Sequence, residues 1–133
     1  MTIKLEIITP EAKVFSDDVE MVTLTGTEGE MGILPQHMPL MTLLVPGEIV
    51  ARKDGKNNYL AVGEGFVQVT GDRVAILTDM AIGADSIDEA KAEEARQRAE
   101  ARLAEKISAE DAASASASLA HSLAQLKVKR RHH

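Results

Sequence analysis

The apolar residues of this chain change their spacing once, near Gly83, and that change limits what the chain can fold into. Before it, hydrophobes alternate with polar residues, the period of a half-buried strand. After it, they step by three and four, the period of a helix face. Ile3-Lys4-Leu5-Glu6-Ile7 is the first alternating run, and Val19-Glu20-Met21-Val22-Thr23-Leu24 is a second, rich in β-branched residues. A third run, 48–53, leads into Asp54-Gly55, a strong hairpin signal because a type I′ turn needs positive φ at both central positions. The chain returns over 58–62, turns at Gly63-Glu64-Gly65, continues through 66–69, and turns at Gly71-Asp72 into 73–78. Four such strands joined by short turns predict a meander within an antiparallel sandwich or barrel.

Beyond Gly83, Ser86-Ile87-Asp88-Glu89 has capping-box spacing, with Ser86 as N-cap and Glu89 at N3. The run 88–106 has no Gly or Pro, and Ala92, Ala95, Ala99 and Leu103 share one face. Ser108-Ala109-Glu110-Asp111 predicts a second N-terminus, followed by a stripe of Ala112, Ala115, Leu119, Leu123 and Leu126. The expected architecture is mainly β plus α, with a β-sandwich over 1–84 and a two-helix hairpin over 85–133. The helical seam is largely alanine. Exchanging a buried Leu for Ala costs about 2–5 kcal/mol in ordinary cores, so the hairpin is expected to hold loosely. Ser114, Ser116 and Ser118 lower helix propensity further, by up to about 0.7 kcal/mol each relative to Ala.

Composition excludes several functions. With no cysteine, disulfides and thiolate metal sites are ruled out. A net charge of −6 and only three aromatic residues, Phe15, Tyr59 and Phe66, argue against nucleic-acid binding, which needs a basic face and stacking platforms. The imbalance lies in residues 1–83, where 6 basic residues meet 12 acidic ones; residues 84–133 carry 9 of each. Met1-Thr2-Ile3-Lys4-Leu5-Glu6 lacks a signal-peptide plan, and no apolar run reaches membrane-spanning length.

No catalytic constellation emerges. His37 sits between Pro35 and Pro39 in a loop, and His121 has no His or carboxylate at i±4 to form a metal pair. His132 and His133 read as either a fraying end or a non-native addition. The glycines of Gly26-Thr27-Glu28-Gly29-Glu30-Met31-Gly32 lack the Gly-Lys-Ser/Thr ending of a phosphate loop, and two glutamates would repel phosphate, so tight turns between strands explain them. Asp17-Asp18 and Glu93-Glu94 lack companions that would raise one carboxyl pKa for acid–base work.

The segment Glu28-Gly29-Glu30-Met31-Gly32-Ile33-Leu34-Pro35-Gln36-His37-Met38-Pro39-Leu40 resembles the signature of the epsilon-subunit family of F-type ATP synthases, called delta in mitochondria. That signature reads Glu-Gly-Glu, a hydrophobe, Gly-Ile-Leu-Pro, any residue, His, any residue, Pro-Leu. Ile7-Ile8-Thr9-Pro10-Glu11, Val19-Glu20-Met21-Val22 and Gly63-Glu64-Gly65-Phe66-Val67 are also similar to the family, and the resemblance covers about the first 105 residues. It implies a ten-stranded sandwich followed by two helices. It also implies a non-catalytic rotor subunit of the central stalk, gripping the gamma subunit and resting on the c-ring. Glu30, Met31 and Gly32 would face the ring, with His37 near gamma and Met38 touching gamma or the ring.

The family's helices regulate by lying against the sandwich or extending along gamma to obstruct ATP hydrolysis. The resemblance assigns Lys127, Lys129, Arg130 and Arg131 to contacts with the catalytic beta subunits in the extended state, where alpha subunits are also neighbours. Some bacterial members bind ATP through Ile/Leu-Asp-x-x-Arg-Ala. The counterpart is Ile87-Asp88-Glu89-Ala90-Lys91-Ala92, with Lys91 replacing Arg, and Arg98 follows where a further arginine is found. The second-helix arginines have no counterpart at 120–126, so only weak ATP binding is expected at Asp88, Lys91 and Arg98, and no resident cofactor or metal. The implied location is the cytoplasmic face of a bacterial plasma membrane, peripheral and through the complex, rather than a thylakoid. A stand-alone β-sandwich binding module with a helical oligomerisation tail is the other class open at this point.

Overall fold

The computed structural model describes residues 1–132. Ten strands precede two helices: β1 (Ile3–Ile8), β2 (Lys13–Val19), β3 (Met21–Gly26), β4 (Gly29–Ile33), β5 (Leu40–Leu44), β6 (Gly47–Lys53), β7 (Lys56–Val62), β8 (Gly65–Thr70), β9 (Arg73–Thr78), β10 (Ala81–Gly83), α1 (Glu89–Leu103) and α2 (Ala109–Arg131). The strands form one continuous sheet in the order β10-β7-β6-β3-β5-β8-β9-β1-β2, with β4 on β3. Strand β3 is the corner. One of its edges pairs with β4, and it also meets β6 through Met21–Thr23 and β5 at Gly26. The sheet therefore folds into two layers. All pairings are antiparallel except β1 with β9.

Alternation does what the sequence requires of it. Ile3, Leu5 and Ile7 of β1, Val67 and Val69 of β8, and Val74 and Ile76 of β9 point inward. They meet Val22, Leu24, Ile33, Ile49, Leu60 and Val62 from the other layer in a core without a buried aromatic residue. Asp54 (φ 53°) and Gly55 (φ 76°) both adopt positive φ, as the β6–β7 hairpin demands.

Five expectations are corrected. The stretch 19–24 is two strands, broken at Glu20. The glycine-rich run does make a tight turn at Thr27-Glu28, but Gly29–Ile33 beyond it is a strand paired to β3 along its whole length. The predicted meander breaks at Gly63-Glu64-Gly65. There β7 stays with β6 and β10 while β8 crosses to pair with β5 and β9. Ser86 does not cap α1. Ala84–Ser86 form a 3-10 turn, Ile87 returns to extended backbone, and the cap is Asp88, whose carboxylate accepts from the Lys91 amide at 3.1 Å. Leu123 stands outside both contact faces of α2 and is 48% exposed.

Ser108 does cap α2, accepting from the Asp111 amide at 3.1 Å. The helices run antiparallel. Arg102 meets Asp111 (3.3 Å) at the loop end, and Arg130 reaches Glu89 (2.8 Å) and Glu93 (3.2 Å) at the other. Ala92, Ala99 and Ala115 are buried, with Ala95, Leu103 and Ala112 half-buried. Helix α2 packs on β7, β6 and the 3-10 turn, and its Ala124 and Val128 settle against Ala61, Ala84 and Ile87.

Candidate functional site

Two surfaces stand out: the outer face of one sheet layer, with its exposed apolar side chains, and the seat of α2 on the other. On the first, register alone sets out the side chains. Leu43 of β5 lies opposite Phe66 of β8, Phe66 opposite Leu77 of β9, and Leu77 beside Ile8 of β1. Leu43, Phe66 and Leu77 are 50%, 53% and 50% exposed, so they form a contiguous apolar row open to solvent. Met41 extends the patch two residues along β5. Shallow clefts flank the row. One of about 450 Å³ is lined by Ile8, Pro10, Gly65 and Leu77, and one of about 320 Å³ by Leu43, Val45, Pro46 and Phe66. Farther along the strands, polar Gln68 and Glu6 share a row with Met41 and Ala75. Glu6 is covered by Lys13 (2.8 Å) and Arg73 (3.5 Å), and the Lys13 hydrogen bond lowers its carboxyl pKa against the opposing cost of burial.

The glycine-rich signature is divided over the two ends of this face. Gly29, at φ 115°, turns the chain beside Gly26 and the Leu44 end of β5, leaving Glu30 and Gly32 exposed and Met31 packed on the core. A Cβ on Gly32 would come within 2.5 Å of the Met21 side chain. His37 and Met38 lie at the Leu40 end, in a loop fastened by the Gln36 amide to Gly71 O (3.1 Å). There the His37 ring contacts Met38 O through Nδ1 (2.7 Å), and Met38 is 79% exposed. Glu30–Gly32 and His37–Met38 therefore lie apart, the first on β4 and the second in the loop before β5.

On the second surface, polar contacts bracket the small apolar seat of α2. His121 Nε2 lies 3.0 Å from Asp79 Oδ2, an ion-pair contact without aligned hydrogen-bond geometry. Helical spacing offers His121 no partner of its own; the carboxylate comes instead from the loop after β9. Lys129 Nζ donates to Ala84 O (3.2 Å). His132, expected to fray, bonds Glu48 Oε2 through Nε2 (2.6 Å) and stacks on Tyr59 with ring centroids 3.4 Å apart. His133 lies outside the described residues.

The basic end is thus largely engaged within the chain. Lys129 meets Ala84 O, Arg130 meets Glu89 and Glu93, Arg131 approaches Glu48 (3.5 Å), and Lys127 is exposed. Asp88 serves as helix cap, while Lys91 and Arg98 are exposed, two turns apart on one side of α1.

The paired carboxylates are structural. The Lys53 hydrogen bond (2.5 Å) lowers the Asp17 pKa, helped by the Asp18 amide. Arg96 holds Glu93 down to about 2, with further hydrogen bonds from Gln97 and Arg130. Both shifts stabilise the charged form, the opposite of a carboxyl held protonated to act as an acid. Among the described residues no group of three or more His, Cys, Asp or Glu is placed to hold a metal ion.

Comparison with known proteins agrees with this architecture. Residues 2–84 match the family described as "ATP synthase, Delta/Epsilon chain, beta-sandwich domain", and residues 85–130 the "ATP synthase, Delta/Epsilon chain, long alpha-helix domain". The chain is 44% identical to the ATP synthase epsilon chain of Herpetosiphon aurantiacus, over 96% of this chain and 94% of that one. It is 47% identical to the epsilon chain of Dehalococcoides mccartyi, over 98% and 96% respectively. A chain in the structure of the Euglena gracilis mitochondrial ATP synthase (OSCP/F1/c-ring) shares the fold with a TM-score of 0.76 at 24% identity, covering 95% of this chain and 79% of that one. With both domains matched across nearly their whole length, the chain belongs to the ATP synthase delta/epsilon family.

Proposed function

We propose that this chain is a non-catalytic rotor subunit in the central stalk of an F-type ATP synthase, joining the gamma subunit to the c-ring. The observation that carries this reading is the Leu43–Phe66–Leu77 row, an exposed apolar strip on a stiff sheet. Such a strip needs a partner to cover it, and a body that transmits torque needs a broad contact on a rigid element. Met38 and Met41 extend the gamma-facing surface, with His37 at its end. The acidic turn carrying Glu30, with Met31 and Gly32, is offered to the basic loops of the ring, where charge complementarity sets register. No helix of the described residues is long and apolar enough to cross a membrane. Attachment at the cytoplasmic face of a bacterial plasma membrane then comes through the complex.

The helices supply regulation. In the docked arrangement Lys129, Arg130 and Arg131 have partners within the chain. Extension along gamma releases them, with Lys127, toward acidic segments of the alpha and beta subunits. Tight ATP binding is not part of the proposal, because Asp88 is occupied as a cap and Lys91 lacks the bidentate fork of arginine. The test is to mix the full chain with purified gamma and follow complex formation by size exclusion. A one-to-one complex is expected, and Phe66→Ser with Leu77→Ser should weaken it about tenfold, as removal of central apolar anchors does. A chain that ignores gamma refutes the proposal. Deleting residues 84–133 should raise ATP hydrolysis by the assembled enzyme, and unchanged hydrolysis would remove the regulatory part.

A further inference from the structure

We propose that Glu48 and Tyr59 form a socket for the last turn of α2, and that this socket sets how often the helix leaves the sandwich. The helix brings little to its apolar seat: α2 contributes Ala124 and Val128 as its buried side chains there, against Ala61, Ala84 and Ile87, with Tyr59, Met80 and Ile82 packed at the margin. Neither helical side chain is large enough to anchor a helix of 23 residues. The polar contacts are unevenly divided along its length. At the middle of the helix, His121 and Asp79 touch with side chains 27% and 46% exposed. At the C-terminal end, the Glu48 carboxylate is 11% exposed and receives both His132 (2.6 Å) and Arg131 (3.5 Å), while Tyr59 stacks on the imidazole at an interplanar angle of 9°. Lys129 adds its bond to Ala84 O one turn earlier.

A shielded carboxylate beside an aromatic face is a site for a planar cationic or hydrogen-bonding ring, and the chain fills it with its own end. Undocking empties the socket and exposes Glu48, so weakening any bond within it shifts the balance directly. The cations that dock are also the ones freed by extension, so docked and extended arrangements exclude each other.

The experiment uses the isolated full chain, so its outcome is independent of gamma binding. Lys56→Cys and Ser118→Cys place spin labels on exposed positions of β7 and α2 in a chain without native cysteine. Pulsed EPR then reads the distance distribution between sandwich and helix. The parent should give one docked population. Glu48→Gln and Tyr59→Ala should each add a longer-distance population, raising the undocked fraction about tenfold, the effect of removing one charge-assisted interaction. Glu28→Gln, on the distant β3–β4 turn, should leave the distribution unchanged. If a sandwich variant folds poorly, His132→Ala removes the same interaction from the helix side and must give the same shift. Distributions for Glu48→Gln and His132→Ala that superimpose on the parent overturn the proposal.

Discussion

Replacing Gly65 with alanine tests whether the crossover from β7 to β8 is as tight as the structure has it. A Cβ there would lie 2.8 Å from Thr78 Cα and 2.9 Å from Leu77 C, with Leu77 O closer still. All three are backbone atoms of the paired strand β9, so no side chain can swing aside. Carbon atoms rest about 3.5–4.0 Å apart, so β8 and β9 must separate by roughly 1 Å beside Val67 and Ile76. Overpacking costs about 1–3 kcal/mol, and an immovable neighbour puts this case at the upper end, about 3 kcal/mol. For a domain of this size each kcal/mol moves the melting temperature by roughly 4–8 °C. Gly65→Ala should therefore melt about 12–24 °C below the parent when strand signal is followed by circular dichroism. Gly71→Ala is the control: nothing lies within 4 Å of its Cβ position, and its melting temperature should stay within about 2 °C of the parent's. Gly63→Ala is the informative intermediate. The atoms it meets are Asp79 Oδ1 and His121 Nε2, side-chain ends that can move. The sandwich should keep its melting temperature while Asp79 and His121 are pushed apart. A Gly65→Ala protein melting within about 2 °C of the parent would refute the reasoning.

Three further outcomes follow from named interactions. Asp88→Ala removes the cap of α1 and should cost about 1 kcal/mol of helix stability, read as fraying of 89–92 by amide hydrogen exchange. Because the Arg96 hydrogen bond holds the Glu93 pKa down to about 2 from an ordinary 4.5, its contribution is fully present above pH 4.5 and disappears as pH falls toward 2. Helical signal of the parent should therefore decline through that window, and Glu93→Gln should show a shallower decline; identical acid profiles would exclude the pair as a stabiliser. Titration calorimetry with millimolar ATP should give little or no heat, while a sharp isotherm abolished by Lys91→Ala would establish the nucleotide site.

Local chemistry was readable wherever one segment contains both halves of an interaction. Alternation placed Ile3, Leu5 and Ile7 inward, Asp54-Gly55 named its own turn, Ser108 marked the start of α2, and the Gly-Ile-Leu-Pro segment pointed to the family. The first three rest on backbone geometry or side-chain spacing within a few residues, and the last on resemblance to a family signature. The tertiary structure decided what depends on distant segments arriving together. It sent β8 away from β7, carried Gly29–Ile33 on from the glycine turn as strand β4, moved the α1 cap from Ser86 to Asp88, and left Leu123 in solvent. It also gave His121 and His132 their carboxylates, from residues 42 and 84 positions earlier in the chain. A sequence carries no distance between such residues. Only closure of the sheet and the seating of α2 on it bring them within reach, and the apolar row and the helix socket exist for the same reason.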